Sequence, residues 1–135
     1  MRLLIDANIV LDVLLNREQH CKDSSAVWKL CETEQAEGYI SALTFANLVY
    51  VMRKELDPAQ IKDVLTKLKL IFRFADFSAS DMTTAAEMAW NDYEDAVQSA
   101  TAERIRADVI ITRNVRDFRQ SKVIAFTPTE FIARI

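Results

Sequence analysis

Three aspartates stand where a chain could use them for chemistry. Asp6 follows at once on the apolar run Leu3-Leu4-Ile5. Asp95 closes the acidic stretch Asp92-Tyr93-Glu94-Asp95, and Asp117 comes shortly after Val109-Ile110-Ile111-Thr112. A run as short and apolar as Leu3–Ile5 suits a strand buried on both faces, and such strands sit at the centre of parallel sheets. In open sheets of that kind, ligands bind outside the carboxyl ends of the strands. Asp6 alone decides nothing, because Asp is also a common N-cap of a following helix. Asp95 likewise has a plain structural explanation, an acidic first turn that complements the helix dipole. Their joint placement is harder to explain by caps. Carboxylates gathered at one edge repel each other, and the group persists only with a proton or a cation among them. Hard oxygen ligands without His or Cys suit Mg²⁺ or Mn²⁺.

The elements that must position these residues follow from the apolar spacing. Ile9 to Leu15 predicts a mostly buried helix ended by Asn16-Arg17. Ser24 to Glu37 predicts an amphipathic helix with Val27, Leu30 and Cys31 on one face, and Trp28 is expected in the core. Gly38, the only glycine, is expected in the left-handed conformation that ends this helix. Tyr39-Ile40-Ser41 is a short strand. Thr44 to Leu56 is a helix, with Asn47 near its start and just past a strand's carboxyl end. Asp57-Pro58-Ala59-Gln60 is a helix start by cap, proline and reaching-back glutamine. Leu70 to Phe74 is expected as a third strand, and Ser78 to Asp81 opens an alanine-rich helix. The helix after Asp92 carries small residues suited to close approach, with Asp95 and Ser99 on one face. Asp108 to Thr112 is a fourth strand and Lys122 to Phe126 a fifth, and Thr127-Pro128-Thr129-Glu130 is a capping box for a short last helix. This alternation predicts one domain over 1–135, α/β in class, with a five-stranded parallel sheet between two helical layers. Parallel connections are right-handed, so the loops bearing the three acids can converge on one edge.

Composition bounds the function. A chain of 135 residues, half of them hydrophobic and 27% charged, is an ordinary globular composition for one domain. No apolar run approaches the ~20 residues of a transmembrane helix. An acid as early as position 6 argues against a signal peptide. Cys21 and Cys31 lack any zinc-ligand spacing and are expected as reduced thiols in a cytoplasmic protein. His20, the only histidine, has no partner at a useful spacing and is assigned no chemistry. A net charge of -3 argues against strong non-specific nucleic-acid binding, but leaves room for a local basic patch.

Leu4-Ile5-Asp6-Ala7-Asn8, Ile40-Ser41-Ala42-Leu43-Thr44, Glu94-Asp95-Ala96 and Thr112-Arg113-Asn114 with Asp117-Phe118 resemble, in order and spacing, the PIN domain. The resemblance covers essentially the whole chain. It is closest to small bacterial single-domain members, the VapC-like toxins of toxin–antitoxin pairs. It implies an endoribonuclease dependent on Mg²⁺ or Mn²⁺, a frequent homodimer, and an antitoxin that blocks the site. Carried over by position, Asp6, Asp95 and Asp117 match the family's catalytic and metal-binding acids. Asp92 and Glu94 flank Asp95 and are candidate additional acids. Thr112 and Asn114 match the polar residues that accompany the last acid, and Asn8 a polar position beside the first.

One position departs from the family's pattern. The helix after Ile40-Ser41 usually carries a glutamate in this family, and Asn47 holds that position here. An amide oxygen can ligate Mg²⁺ but brings no charge, so the resemblance implies one metal held by three aspartates more readily than two. Arg113, Arg116 and Arg119 flank Asp117 and are candidate contacts to RNA phosphates. Asn47 also motivates an alternative, a PIN-fold RNA- or protein-interaction module with weak or no catalysis. A third reading is a phosphotransferase of the haloacid dehalogenase type, with Asp6 as nucleophile. That chemistry wants a second Asp where Asn8 sits, and the Thr112 to Phe118 segment favours the nuclease.

Overall fold

The computed structural model describes residues 1–135. In chain order it contains β1 (Arg2–Ile5), α1 (Ala7–Leu14), α2 (Cys21–Glu32), β2 (Glu37–Ser41), α3 (Ala42–Met52), α4 (Pro58–Ile71) and β3 (Arg73–Ala75). There follow α5 (Ala79–Met88), α6 (Tyr93–Arg104), β4 (Val109–Ile111), a 3-10 turn (Val115–Phe118), β5 (Ala125–Phe126) and α7 (Pro128–Arg134). The five strands form one sheet in the order β3-β2-β1-β4-β5, and every neighbouring pair is parallel. This is the α/β architecture expected from the alternation, with helices on both faces.

β1 is the centre, and its burial shows why. Leu3 and Ile5 point into the larger core with Ile9, Val10, Val27, Ile40 and Leu48, while Leu4 points into the opposite core with Ala102, Ile110 and Phe118. Strand side chains alternate between faces, so three consecutive apolar residues serve two cores at once. The chain runs outward from β1 through β2 to β3, then returns to place β4 on the free side of β1. The strand order reverses between β1 and β4, and a crevice opens at such a reversal, beyond the carboxyl ends. Asp6 leaves β1 and Thr112 leaves β4 at that crevice.

The helix starts obey their local signals. Asp57 with Gln60, Ser78 with Asp81, and Thr127 with Glu130 each close a reciprocal capping box. Two expectations need correction. The third strand is not Leu70 to Phe74, because α4 continues through Ile71 and the strand covers Arg73–Ala75. Leu70 and Ile71 form the last turn of α4, where Leu68 is fully buried and Leu70 is turned to solvent, 83% exposed. Lys122 to Phe126 likewise contributes only Ala125–Phe126 to the sheet.

Gly38 does not end a helix. Glu34 takes the left-handed conformation after α2 (φ 61°), and no glycine has positive φ. Gly38 lies inside β2, where an added Cβ would fall 2.6 Å from Cys31 Sγ and 2.6 Å from a ring carbon of Phe72. The residue is required by close approach between β2, α2 and the end of α4. Trp28 packs edge-on against the same Phe72, with ring centroids 5.0 Å apart. Gly38→Ala is therefore expected to destabilise the fold by about 1–3 kcal/mol through overpacking. Urea unfolding of the two proteins measures this, and equal midpoints would contradict it.

Candidate functional site

Asp6 caps α1 and also lines a cleft. Its Oδ1 accepts from the backbone N–H of Ala7 at 2.8 Å, which starts α1. Its Oδ2 accepts from the Thr112 hydroxyl, also at 2.8 Å. Thr112 is fully buried, and its hydroxyl in turn accepts from the backbone N–H of Asn114 at 3.1 Å. Oδ1 is thus oriented by the start of α1 and Oδ2 by the residue that follows β4. Burial pushes the Asp6 carboxyl above its ordinary value. The Thr112 hydroxyl, the Ala7 N–H and the charge of Arg113 oppose this, and the charge of Asp92 adds to it.

Asp95 arrives from α6. Asp92 caps that helix by accepting from the backbone N–H of Asp95 at 3.1 Å, and Asp95 and Glu94 fall in the first turn. Asp6, Asn8, Asn47, Glu94, Asp95 and Asn114 line one cleft of about 350 Å³, beside Thr44 and Gln98. The floor is a buried polar trio. Gln98 Oε1 accepts from the hydroxyls of Ser41 at 3.3 Å and Thr44 at 3.4 Å.

Asp117 lies elsewhere. With Asp92, Arg116 and Arg119 it lines an adjoining cleft of about 580 Å³, walled by Trp90. The two clefts share an electrostatic field. Asp95 has its carboxyl pushed up to about 7, first by burial and then by the charges of Asp92, Asp6 and Asp117 and a hydrogen bond with Asp92. No three His, Cys, Asp or Glu side chains stand close enough to enclose an ion between them. What the fold brings into one cleft is a pair of aspartates with neutral oxygen donors, and Asp117 joins that pair through its field.

Arg113 departs from its expected role. It is turned inward, with Nη1 3.3 Å from Oδ1 of the fully buried Asp12, while Arg116 and Arg119 remain exposed. Asp12 also accepts from the Ser24 hydroxyl at 2.9 Å and pairs with Arg17 at 3.4 Å. Sequence reasoning passed over Asp12 as one position in an apolar helix. The signal was its company, since a charge within such a run must find a partner. Gln98 was missed for the same kind of reason: it sits among small residues in α6 with no local sign of its partners.

The family model of the PIN domain matches residues 2–116. The chain belongs to the PIN domain family. Among solved structures, this PIN domain is similar to VapBC2 from Rickettsia felis bound to a DNA fragment from its promoter. The TM-score is 0.72 at 18% identity, covering 94% of this chain and 98% of the other. It is similar to FitAcB from Neisseria gonorrhoeae with the same score and coverage at 21% identity. A toxin–antitoxin complex from Klebsiella pneumoniae gives a TM-score of 0.70 at 22% identity, over 93% of this chain and 96% of that one. At such identities the likeness speaks for the fold. No protein of curated function matches the chain in sequence. No helix of this PIN domain is long and apolar enough to cross a membrane.

The acidic cleft has a consequence for stability. Asp95 holds its proton up to about pH 7 in the fold, against an ordinary value of 3.8 for the released carboxyl. Between those values the folded chain binds the extra proton, so this group's contribution to stability falls as pH rises through the window. Above it the charged carboxylate destabilises the metal-free fold in full. In EDTA, Asp95→Asn is expected to melt higher than the wild type at pH 8, and the difference should shrink toward pH 4. A variant that melts no higher at pH 8 would contradict the assignment.

Proposed function

We propose that this PIN domain is an endoribonuclease dependent on Mg²⁺ or Mn²⁺, acting in the cytoplasm as the toxin of a type II toxin–antitoxin pair. The observation that carries the reading is the placing of Asp6 and Asp95 in one cleft, at the reversal of strand order, among neutral oxygen donors. Mg²⁺ is commonly held by one or two carboxylates, keeps several waters and takes further oxygens from substrate phosphates. The donor set fits that demand. Asp6 and Asp95 would hold the cation, Asn47, Asn8 and Asn114 stand beside them, and Glu94 is the nearest additional acid in the cleft. A bound cation of this kind supplies a water of lowered pKa and stabilises charge developing on phosphate.

The chain's own residues prepare the rest. The Thr112 hydroxyl and the Ala7 N–H hold Asp6 in one orientation. Burial and then the charges of Asp92, Asp6 and Asp117 keep a proton on Asp95, and a cation held there would take that proton's place. Arg116 and Arg119 beside Asp117 and Asp92 meet RNA phosphates along the adjoining cleft. Asp117 adds negative field from the adjoining cleft.

The toxin reading draws on two of the similar structures, VapBC2 and a toxin–antitoxin complex, and on the lip of the cleft. Tyr50 and Val51 line it and are 65% and 51% exposed, apolar surface of the kind a partner covers. An antitoxin closing this cleft and a homodimer are the partners proposed. Asn47 favours a second reading, a PIN-fold interaction module of weak or no activity, because a neutral amide stands in the cleft where the family carries an acid.

Two experiments separate these readings. Incubation with a mixed RNA pool and Mn²⁺ should yield endonucleolytic fragments that EDTA abolishes and Asp6→Asn reduces by 10²-fold or more, roughly the scale of losing an electrostatic catalytic group. Cleavage that survives EDTA, or that Asp6→Asn leaves intact, counts against the nuclease. Asn47→Glu adds a charge to the cleft. It should lower the melting temperature without metal and raise it with Mn²⁺, and tighten Mn²⁺ binding in calorimetry. Shifts of the same sign in both conditions would mean that Asn47 acts only on its helix.

A further inference from the structure

Two consecutive residues at the exit of β4 grip two points of one helix. The Thr112 hydroxyl donates to Asp6, the N-cap of α1, at 2.8 Å. Arg113 reaches Asp12, further along α1, at 3.3 Å. Asp12 is wholly buried and is held in place by Ser24 of α2 at 2.9 Å and by Arg17 just beyond α1 at 3.4 Å. A buried ion pair of this sort adds little net stability over an apolar pair, because desolvation offsets the attraction. What it adds is a fixed register between the elements it joins.

We propose that the Asp12–Arg113 pair is a positioning device that clamps the exit of β4 onto α1 and so holds the Thr112 hydroxyl on the Asp6 carboxylate. Arg113 acts through the backbone it shares with Thr112 and touches neither substrate nor metal. The inference rests on the reading of Asp6 as a metal ligand only for its second measurement below.

Charge and position make opposite predictions here. Arg113 is close enough for its charge to act on Asp6. As a nearby cation alone, it would repel Mn²⁺, and its removal would tighten metal binding. As a clamp, its removal loosens Asp6 and weakens metal binding despite the lost repulsion.

Arg113→Gln and Arg113→Lys distinguish these outcomes by two readouts. The first is amide hydrogen exchange in the metal-free protein, followed at Ala7, which donates to Asp6, and at Asn114, which donates to Thr112. Both amides should exchange faster in Arg113→Gln, while Ile105 at the far end of α6 stays at its wild-type rate. The second is Mn²⁺ calorimetry. Arg113→Gln should weaken binding about tenfold, the usual scale for a residue that orients a ligand, with Arg113→Lys recovering part of the loss. Unchanged exchange at Ala7 and Asn114 overturns the clamp. So does Mn²⁺ binding that is equal or tighter in Arg113→Gln. If Arg113→Gln does not fold, Asp12→Asn decides alone: it removes the other half of the pair and leaves the Arg113 charge, so wild-type exchange and affinity there overturn the proposal. A wild type that binds no Mn²⁺ defeats the metal-site reading under the proposed function, and the exchange measurement still tests the clamp.

Discussion

The hydrogen bond from Thr112 to Asp6 joins residues 106 positions apart and closes the ends of two neighbouring strands. Much of the architecture serves to make it. β4 reaches β1 only because the chain first builds β2 and β3 on one side and then returns to the other. β1 accepts neighbours on both edges because its residues feed both cores. A half-buried carboxylate at that point would be costly without donors, and the fold supplies two, a helix-starting N–H and a buried hydroxyl. Capping and site formation are therefore one event. The same bonds that begin α1 leave Asp6 with a fixed direction toward the cleft.

Around that bond the carboxylates fall into two groups, one self-repelling and one paired. At the carboxyl edge burial, and then the charges of Asp92, Asp6 and Asp117, keep a proton on Asp95. Behind them the buried Asp12 draws in Arg113 and Arg17. A third arrangement anchors the helix that carries Asp95. Arg104 donates to the buried Asp81 at 2.9 Å and Thr101 does so at 3.3 Å, binding α6 to α5. Repulsion at one end of α6 is thus matched by an ion pair near the other. The molecule tolerates a self-repelling edge because the elements that bear it are tied down away from it.

The cleft is floored by neutral polar groups as well as by acids. Ser41, Thr44 and Gln98 satisfy each other beneath it. Such a floor is rigid when complete, since each member would pay heavily for losing its partner in a low-dielectric setting. Asn47 joins this neutral side, so the cleft is less charged than four acids would make it.

What the sequence determined by itself was local. An apolar triplet ending in Asp6 sufficed for a central strand, capping boxes at Asp57, Ser78 and Thr127 sufficed for helix starts, and the alternation of elements sufficed for the parallel sheet. These rest on interactions within a few residues or on a pattern that solvent imposes on each segment separately. Tertiary structure decided the rest. Whether Leu70-Ile71-Phe72 continued a helix or began a strand was settled by packing at Phe72, which is buried against Trp28 and Gly38, while α4 took the first two and left Leu70 exposed. Gly38 was settled by Cys31 and Phe72, neither of them its neighbour in the chain. Arg113 turned from an expected phosphate contact to an inward ion pair because Asp12, buried by an apolar helix, had to be neutralised from outside that helix. Asp117 fell in an adjoining cleft because the 3-10 turn after β4 set its direction, and that turn packs Phe118 against the sheet. Sequence names the groups that carry charge, but desolvation in the assembled core decides which of them must be paired and which stay free to meet a ligand.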